Sequence, residues 1–239
     1  RKTSKRGNST MSSALLFGSI GTLVDTSELQ RQAFNQAFKK HKLDWQWSRA
    51  DYTQMLKKSG GRQRIEDYAQ KKGTAVDIQA IHRDKSEIFQ QLMEATHIFP
   101  RQGVEDTITA AKREGVKLAL VTTTSEKNVA TLLSAISDRI SPDIFDLIVD
   151  NSDVTVGKPS SAAYEFALEQ LHQTADSCVA IEDNLDGVKA ATASGIPCIA
   201  FPGENTAQHT FSRAEYKTNC LSFETMKPLL SKRDLPSAA

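Results

Sequence analysis

Ala14-Leu15-Leu16-Phe17-Gly18-Ser19-Ile20-Gly21-Thr22 starts as an unbroken apolar run and ends in glycines and small polar residues. A short run without polar alternation reads as a strand buried on both faces, and the glycines and small polar residues read as the turn that ends it. Downstream the period changes. Leu29, Ala33, Phe34, Ala37 and Phe38 recur at helical spacing between Ser27 and about Leu43. A second helical patch surrounds Tyr52, Met55 and Leu56, and Ser59-Gly60-Gly61 breaks it. Helix signals resume at Ile65, Tyr68 and Ala69, and a long one runs from Asp77 to Thr96 through Ile78, Ile81, Ile88, Leu92 and Met93. No strand signal falls between 27 and 97, so this stretch is predicted to be an all-helical insertion.

After Pro100, strands and helices alternate. Helix 103–114 leads into Leu118–Val121, helix 126–137 precedes Phe145–Val149, helix 160–171 precedes Cys178–Ile181, and helix 186–194 precedes Pro197–Phe201. Repeated βα units predict an α/β fold, a mostly parallel sheet covered by helices on both faces. The expected division is a basic segment over 1–13, an α/β core over 14–26 and 99–239, and a helical cap over 27–98. Ligands of such sheets bind beyond the carboxyl ends of the strands. That places the site at Gly18–Thr22, Thr122–Ser125, Val156–Pro159 and Glu182–Asp186.

Composition narrows the function classes. Lys and Arg total 30 against 29 Asp and Glu, a net charge of +1 over 239 residues, which gives no basis for nucleic-acid binding. No apolar run reaches the roughly 18 residues of a membrane span. Cys178, Cys198 and Cys220 are widely spaced, show no metal-ligand spacing, and read as free thiols. His41, His82, His97, His172 and His209 are scattered and are expected at the surface or in loops. Residues 1–13 carry Arg1, Lys2, Lys5 and Arg6 among Ser, Thr and Asn without an acid, in the manner of an organelle-targeting remnant.

Four motifs carry a resemblance. Phe17-Gly18-Ser19-Ile20-Gly21-Thr22-Leu23-Val24-Asp25-Thr26 resembles the first motif of haloacid-dehalogenase-type phosphatases, Phe-Asp-x-Asp-Gly-Thr-Leu-x-Asp-Thr. Val121-Thr122-Thr123-Thr124-Ser125 resembles the second, Lys158 in Gly-Lys-Pro-Ser the third, and Ile181-Glu182-Asp183-Asn184-Leu185-Asp186-Gly187-Val188 the fourth. The order is the family's, and the match runs from about residue 13 to 230. Glu28–Asn35, Asp44–Trp47, Gly60–Ile65 and Thr122–Ser125 with Asn128 are similar to the CbbY group, sugar bisphosphatases of xylulose 1,5-bisphosphate. The resemblance implies a Rossmannoid parallel sheet core with an inserted helical cap that reads the sugar.

The first motif departs from the family. There one aspartate attacks phosphorus and a second, two residues on, serves as acid and base. Here those positions hold Gly18 and Ile20, and Ser19 between them is expected to point away along an extended strand end. Of the implied Mg²⁺ ligands, Asp183 and the Ile20 carbonyl remain beside Glu182, so no cofactor or at most weakly held Mg²⁺ is expected. Thr122, Thr123, Lys158, Arg62, Arg64 and Asn128 are the candidate ligand-binding groups for a small phosphorylated ligand, while Trp45 and Trp47 are expected to pack the cap.

These losses lead to the expectation of a catalytically inactive phosphatase fold acting as a structural or interaction subunit among other protein subunits of an organelle complex. The chloroplast stroma is the first location, with mitochondrion or cytoplasm as alternatives. Two functional alternatives stand beside it: a sugar-phosphate or phosphate sensor, and a residual Mg²⁺-dependent sugar-bisphosphate phosphatase. Restoring aspartate at positions 18 and 20 is expected to revive hydrolysis if the rest of the site is intact.

Overall fold

A computed structural model of the protein describes residues 12–230. The basic segment and its organelle reading lie, but for Ser12 and Ser13, outside the described residues. Among these residues six parallel strands form one sheet in the order β3-β2-β1-β4-β5-β6. They are β1 (Ala14–Phe17), β2 (Lys117–Val121), β3 (Leu147–Val149), β4 (Cys178–Glu182), β5 (Cys198–Ala200) and β6 (Tyr216–Lys217). The first apolar run is the centre of the sheet, with Phe17 level with Leu120 on one side and Ile181 on the other.

Strand alternation builds two cores from these runs. Leu15 and Phe17, Leu118 and Leu120, and Val179 and Ile181 enter one cluster with α5 (Val104–Arg113), α6 (Glu126–Ala135) and α9 (Phe223–Leu230). Ala14 and Leu16, Ala119 and Val121, and Cys178 and Ala180 enter the other, with α7 (Ala162–Leu171) and α8 (Leu185–Ala193). Each fully buried leucine or isoleucine contributes on the order of 1.5–3 kcal/mol. Cys178 and Cys198 are buried thiols within this sheet.

The insertion between β1 and α5 is helical, as its period predicts: α1 (Ser27–Lys40), α2 (Arg49–Met55), α3 (Gly61–Lys72) and α4 (Ile78–Ala95). Side-chain caps fix two of the starts. Ser48 accepts from the Asp51 amide and Asp77 from the Ala80 amide. Phe34, Phe38, Trp45, Trp47, Tyr52 and Ile65 form a third cluster inside the insertion, so the two tryptophans pack it. Helix α4 serves both halves: Ile81 lies in the cap cluster, while Phe89 and Met93 lie in the sheet cluster.

Two elements had no sequence signal: β6 is only two residues long, and α9 contains Pro228. Gly103 explains how the chain returns there. Its φ is +83° and a Cβ on it would lie 2.0 Å from the Leu221 carbonyl oxygen, so only glycine lets the two backbones touch. No described helix is long and apolar enough to cross a membrane.

Candidate active site

The carboxyl ends of β1, β2 and β4 open into a cleft of about 760 Å³ between sheet and cap. That volume lies within the range of small-molecule sites. Both expected sources of residues meet there: Thr122, Thr123, Asn128 and Asp183 from the core, Arg62 and Arg64 from the start of α3.

The first motif leaves β1 into a short 3-10 turn, Ile20–Thr22. Gly18 faces no open space. A Cβ there would lie 2.0 Å from Glu182 Oε1 and 2.3 Å from Tyr164 Oη. Those groups form a sealed cluster. Lys158 donates from Nζ to the Gly18 carbonyl, to the Val121 carbonyl at 2.9 Å, and to Glu182 Oε1. Tyr164 donates to the same carboxylate oxygen at 2.6 Å. Glu182 is fully buried, and burial pushes its carboxyl above the ordinary range, against the pull of the Lys158 ammonium. Lys158, expected to face the ligand, is therefore a buried tie beneath the strand ends, with its side chain 4% exposed. Its charge partner is Glu182.

Ser19 reverses its expectation. Its backbone is extended, at φ −157° and ψ 164°, but its side chain turns to the cleft and donates to Asp183 Oδ1 at 2.9 Å. Asn184 Nδ2 donates to the same oxygen at 2.8 Å, and Asn184 Oδ1 caps α8 through the Gly187 amide. The Ser19 carbonyl accepts from the Thr22 amide and hydroxyl, at 3.1 and 2.6 Å, which locks the turn. Ile20 is buried, and its carbonyl accepts from the Leu23 and Val24 amides at 3.1 Å each.

After β2, Thr122 Oγ1 accepts from the Thr124 amide at 3.1 Å, and Ser125 caps α6. Asn128, buried on the first turn of α6, donates to Thr124 Oγ1 and accepts from Gln90 of α4, both at 2.9 Å. It holds the threonine loop and bridges core to cap. Arg64 stacks over Tyr52 and Phe34 and donates to the Lys58 carbonyl at 2.8 Å, while its buried Nε has no hydrogen-bond partner among the described residues.

Two cleft residues were not foreseen. His82, half-buried, lies against Gly61 rather than on the surface, and desolvation with the charges of Lys85, Arg62 and Arg64 lowers it to about 4. Lys85 is 4% exposed, donates to Gln30 Oε1 at 3.0 Å, and is lowered to about 7 by desolvation and then Arg64. Its sequence signal was there. Position 85 stands four residues after Ile81 and three before Ile88, a charge inside an apolar stripe. His209 is also buried, its Nε2 2.8 Å from the Thr53 carbonyl.

The fourth-motif residues test the expected Mg²⁺ site. Glu182 Oε1 is committed to Lys158 and Tyr164. Its buried Oε2 has no hydrogen-bond partner among the described residues but lies against Gly187 rather than in the cleft. The Gly18 carbonyl is taken by Lys158, and the Ile20 carbonyl by two amides. Asp183 alone presents a carboxylate beside Ser19, with Oδ1 already taken by two donors. Among the described residues no group of three or more His, Cys, Asp or Glu converges to hold a metal. Mg²⁺ demands near-octahedral oxygen ligation, and this donor set does not fit a built site for it.

Comparison with known proteins gives the wider setting. The family described as haloacid dehalogenase-like hydrolase matches residues 20–201. Protein CbbY of Cereibacter sphaeroides is 40% identical over 208 residues, 86% of this chain and 90% of that protein. The crystal structure of CbbY from Rhodobacter sphaeroides in complex with phosphate superposes with a TM-score of 0.81 at 38% identity, covering 90% of this chain and 96% of that one. A mutant of that protein in complex with xylulose-(1,5)bisphosphate superposes at 0.79 with 37% identity over 88% and 95% of the two chains. These likenesses overturn the expected inactive structural subunit. Relatives this close over nearly their whole length, one of them seen both with phosphate and, as a mutant, with xylulose-(1,5)bisphosphate, point to a sugar-phosphate phosphatase.

Proposed function

The chain belongs to the haloacid dehalogenase-like hydrolases, and from that premise we propose that it hydrolyses a phosphate ester of a small sugar, with a pentulose bisphosphate as the substrate class. One observation carries this reading: the cleft has anion-seeking groups at both ends. Thr122, Thr123 and the amides before α6 lie on the core side, and Arg62 and Arg64 lie on the cap side, in a space of about 760 Å³. A ligand with a phosphate at each end of a short carbon chain satisfies both. The CbbY structure holding xylulose-(1,5)bisphosphate supports the same class.

The division of labour follows from the geometry. The threonine loop and the start of α6 offer hydroxyl and N–H donors to the phosphoryl group that is to be transferred. The arginines anchor the distal phosphate, and Arg64, propped by Tyr52 and Phe34, holds its fork in a fixed plane. Lys85, lowered to about 7, carries part of a positive charge near neutral pH and gains the rest beside a dianion, while His82, lowered to about 4, is neutral there. Asp183, oriented by Asn184, is the carboxylate beside the transfer end. Family relatives use Mg²⁺ to neutralise phosphate charge, whereas the described residues of this cleft do not form a site for it.

The test is release of inorganic phosphate from xylulose 1,5-bisphosphate by the purified chain, with Arg64→Ala as comparison. We expect turnover in the wild type and a KM at least about tenfold higher in the variant, as for a lost charged hydrogen bond. No release above background from pentulose or hexose phosphates refutes the reading.

A further inference from the structure

We propose that Ser19 is the nucleophile of this chain and Asp183 its general base, an assignment that rests on the phosphatase reading above. The family's attacking position is a glycine whose would-be side-chain space is filled by Glu182 and Tyr164, and the acid–base position is isoleucine. Between them Ser19 turns its hydroxyl into the cleft and onto Asp183 Oδ1 at 2.9 Å. That is the nucleophile–base contact that activates a serine, and Asn184, donating to the same oxygen at 2.8 Å, is the third group that orients the base.

No other cleft hydroxyl among the described residues donates to a carboxylate at the end of a neighbouring strand. Thr122 Oγ1 and Ser125 Oγ accept backbone amides, and Thr124 Oγ1 accepts from Asn128. Ser27 also donates to a carboxylate, Asp25, at 2.9 Å, but that contact is local, two residues apart, and Asp25 additionally holds the Glu204 amide. Ser19–Asp183 instead joins the ends of the two central strands, beside the threonine loop where the phosphoryl group docks.

The chemistry balances without a metal. In the first half Ser19 Oγ forms a bond to phosphorus, its proton passes to Asp183 Oδ1, and the phosphorus–sugar oxygen bond breaks. Asp183 passes that proton to the departing sugar oxygen, which leaves as the alcohol. In the second half Asp183 takes a proton from a cleft water as the water oxygen attacks phosphorus, and the phosphorus–Oγ bond breaks. Asp183 returns that proton to Oγ, and hydrogen phosphate leaves. The intermediate is a phosphoserine, not an acyl phosphate.

The experiment uses the full chain with xylulose 1,5-bisphosphate, with and without EDTA, acid-quenched and digested for peptide masses. A single phosphoryl group on the peptide carrying Ser19, surviving hydroxylamine and EDTA, is the expected result. Ser19→Ala should lose the adduct and at least about 10³-fold in kcat. It should still be stabilised against heating by inorganic phosphate to the wild-type extent, which separates chemistry from folding and binding. Asp183→Asn should slow adduct formation by at least about 10²-fold. An adduct on Ser19 without phosphate release upholds this assignment and overturns the turnover reading. Wild-type turnover in Ser19→Ala, or a phosphoryl group on another residue, overturns the assignment and leaves the phosphatase reading standing. Neither adduct nor release in the wild type overturns both.

Discussion

Gly18→Asp is the substitution that the family comparison suggests, and the packing argues against it. Its Cβ would sit 2.0 Å from Glu182 Oε1 and 2.3 Å from Tyr164 Oη, well inside contact distance of two fully buried side chains. Forcing extra atoms into a packed interior costs about 1–3 kcal/mol. Pushing Tyr164 off the carboxylate strands its buried hydroxyl donor, while Glu182 Oε1 keeps Lys158, and costs roughly another 1–3 kcal/mol. The new carboxylate also meets Glu182, whose one cationic partner is Lys158. The expected loss is about 2–6 kcal/mol, a large share of the roughly 5–15 kcal/mol that holds a domain together. At roughly 2–4 °C per kcal/mol for a chain of this size, the unfolding midpoint should fall by on the order of 5–20 °C. Thermal unfolding by circular dichroism at pH 7 reads this directly. Combined with Tyr164→Phe, which removes one of the two clashing oxygens, the penalty should shrink by at least about 1 kcal/mol relative to additivity. A Gly18→Asp protein that melts at the wild-type midpoint refutes this reasoning and reopens the expectation that aspartates at 18 and 20 restore hydrolysis.

Lys85 gives a pH-dependent outcome. It is lowered to about 7 from 10.5, so between those values the unfolded chain holds a proton that the folded chain has released, and stability rises with pH across that window. Lys85→Met should flatten the rise and stabilise the protein at pH 7 by about 1–3 kcal/mol, read by urea unfolding. A bound dianion favours the charged form of Lys85, so sugar bisphosphate should bind with net proton uptake near pH 7.5; calorimetry in two buffers of different ionisation enthalpy measures it. Gly103→Ala should cost at least about 2 kcal/mol, since it combines φ +83° with a Cβ 2.0 Å from the Leu221 carbonyl, and amide exchange at Leu221 should accelerate.

The fold was legible because β1, β2 and β4 are unbroken apolar runs and the helical insertion changes period abruptly at Ser27. β6 and α9 were not, since two residues carry no period and proline argues against a helix. Site residues were readable where a motif places them at a strand end, as with Thr122 and Asp183. Lys158 was placed at the right strand end but in the wrong compartment, because its burial depends on Glu182 of the neighbouring central strand and on Tyr164 of the helix that follows, a packing no local pattern displays. Ser19 was misjudged for a related reason. Alternation along a strand stops being a guide where the strand gives way to a 3-10 turn, and the side chain there follows the nearest acceptor.

The double membership of α4 bears on how this protein comes apart. Ile81 at one end packs among the cap aromatics, Phe89 and Met93 at the other among the sheet residues, and Gln90 is tied to Asn128 of α6. An insertion joined only by two crossings of the chain can melt by itself; one that lends a helix to the neighbouring core cannot. Cap and sheet therefore share a single unfolding transition, and a protease should find the cut sites of the cap only when the sheet opens too.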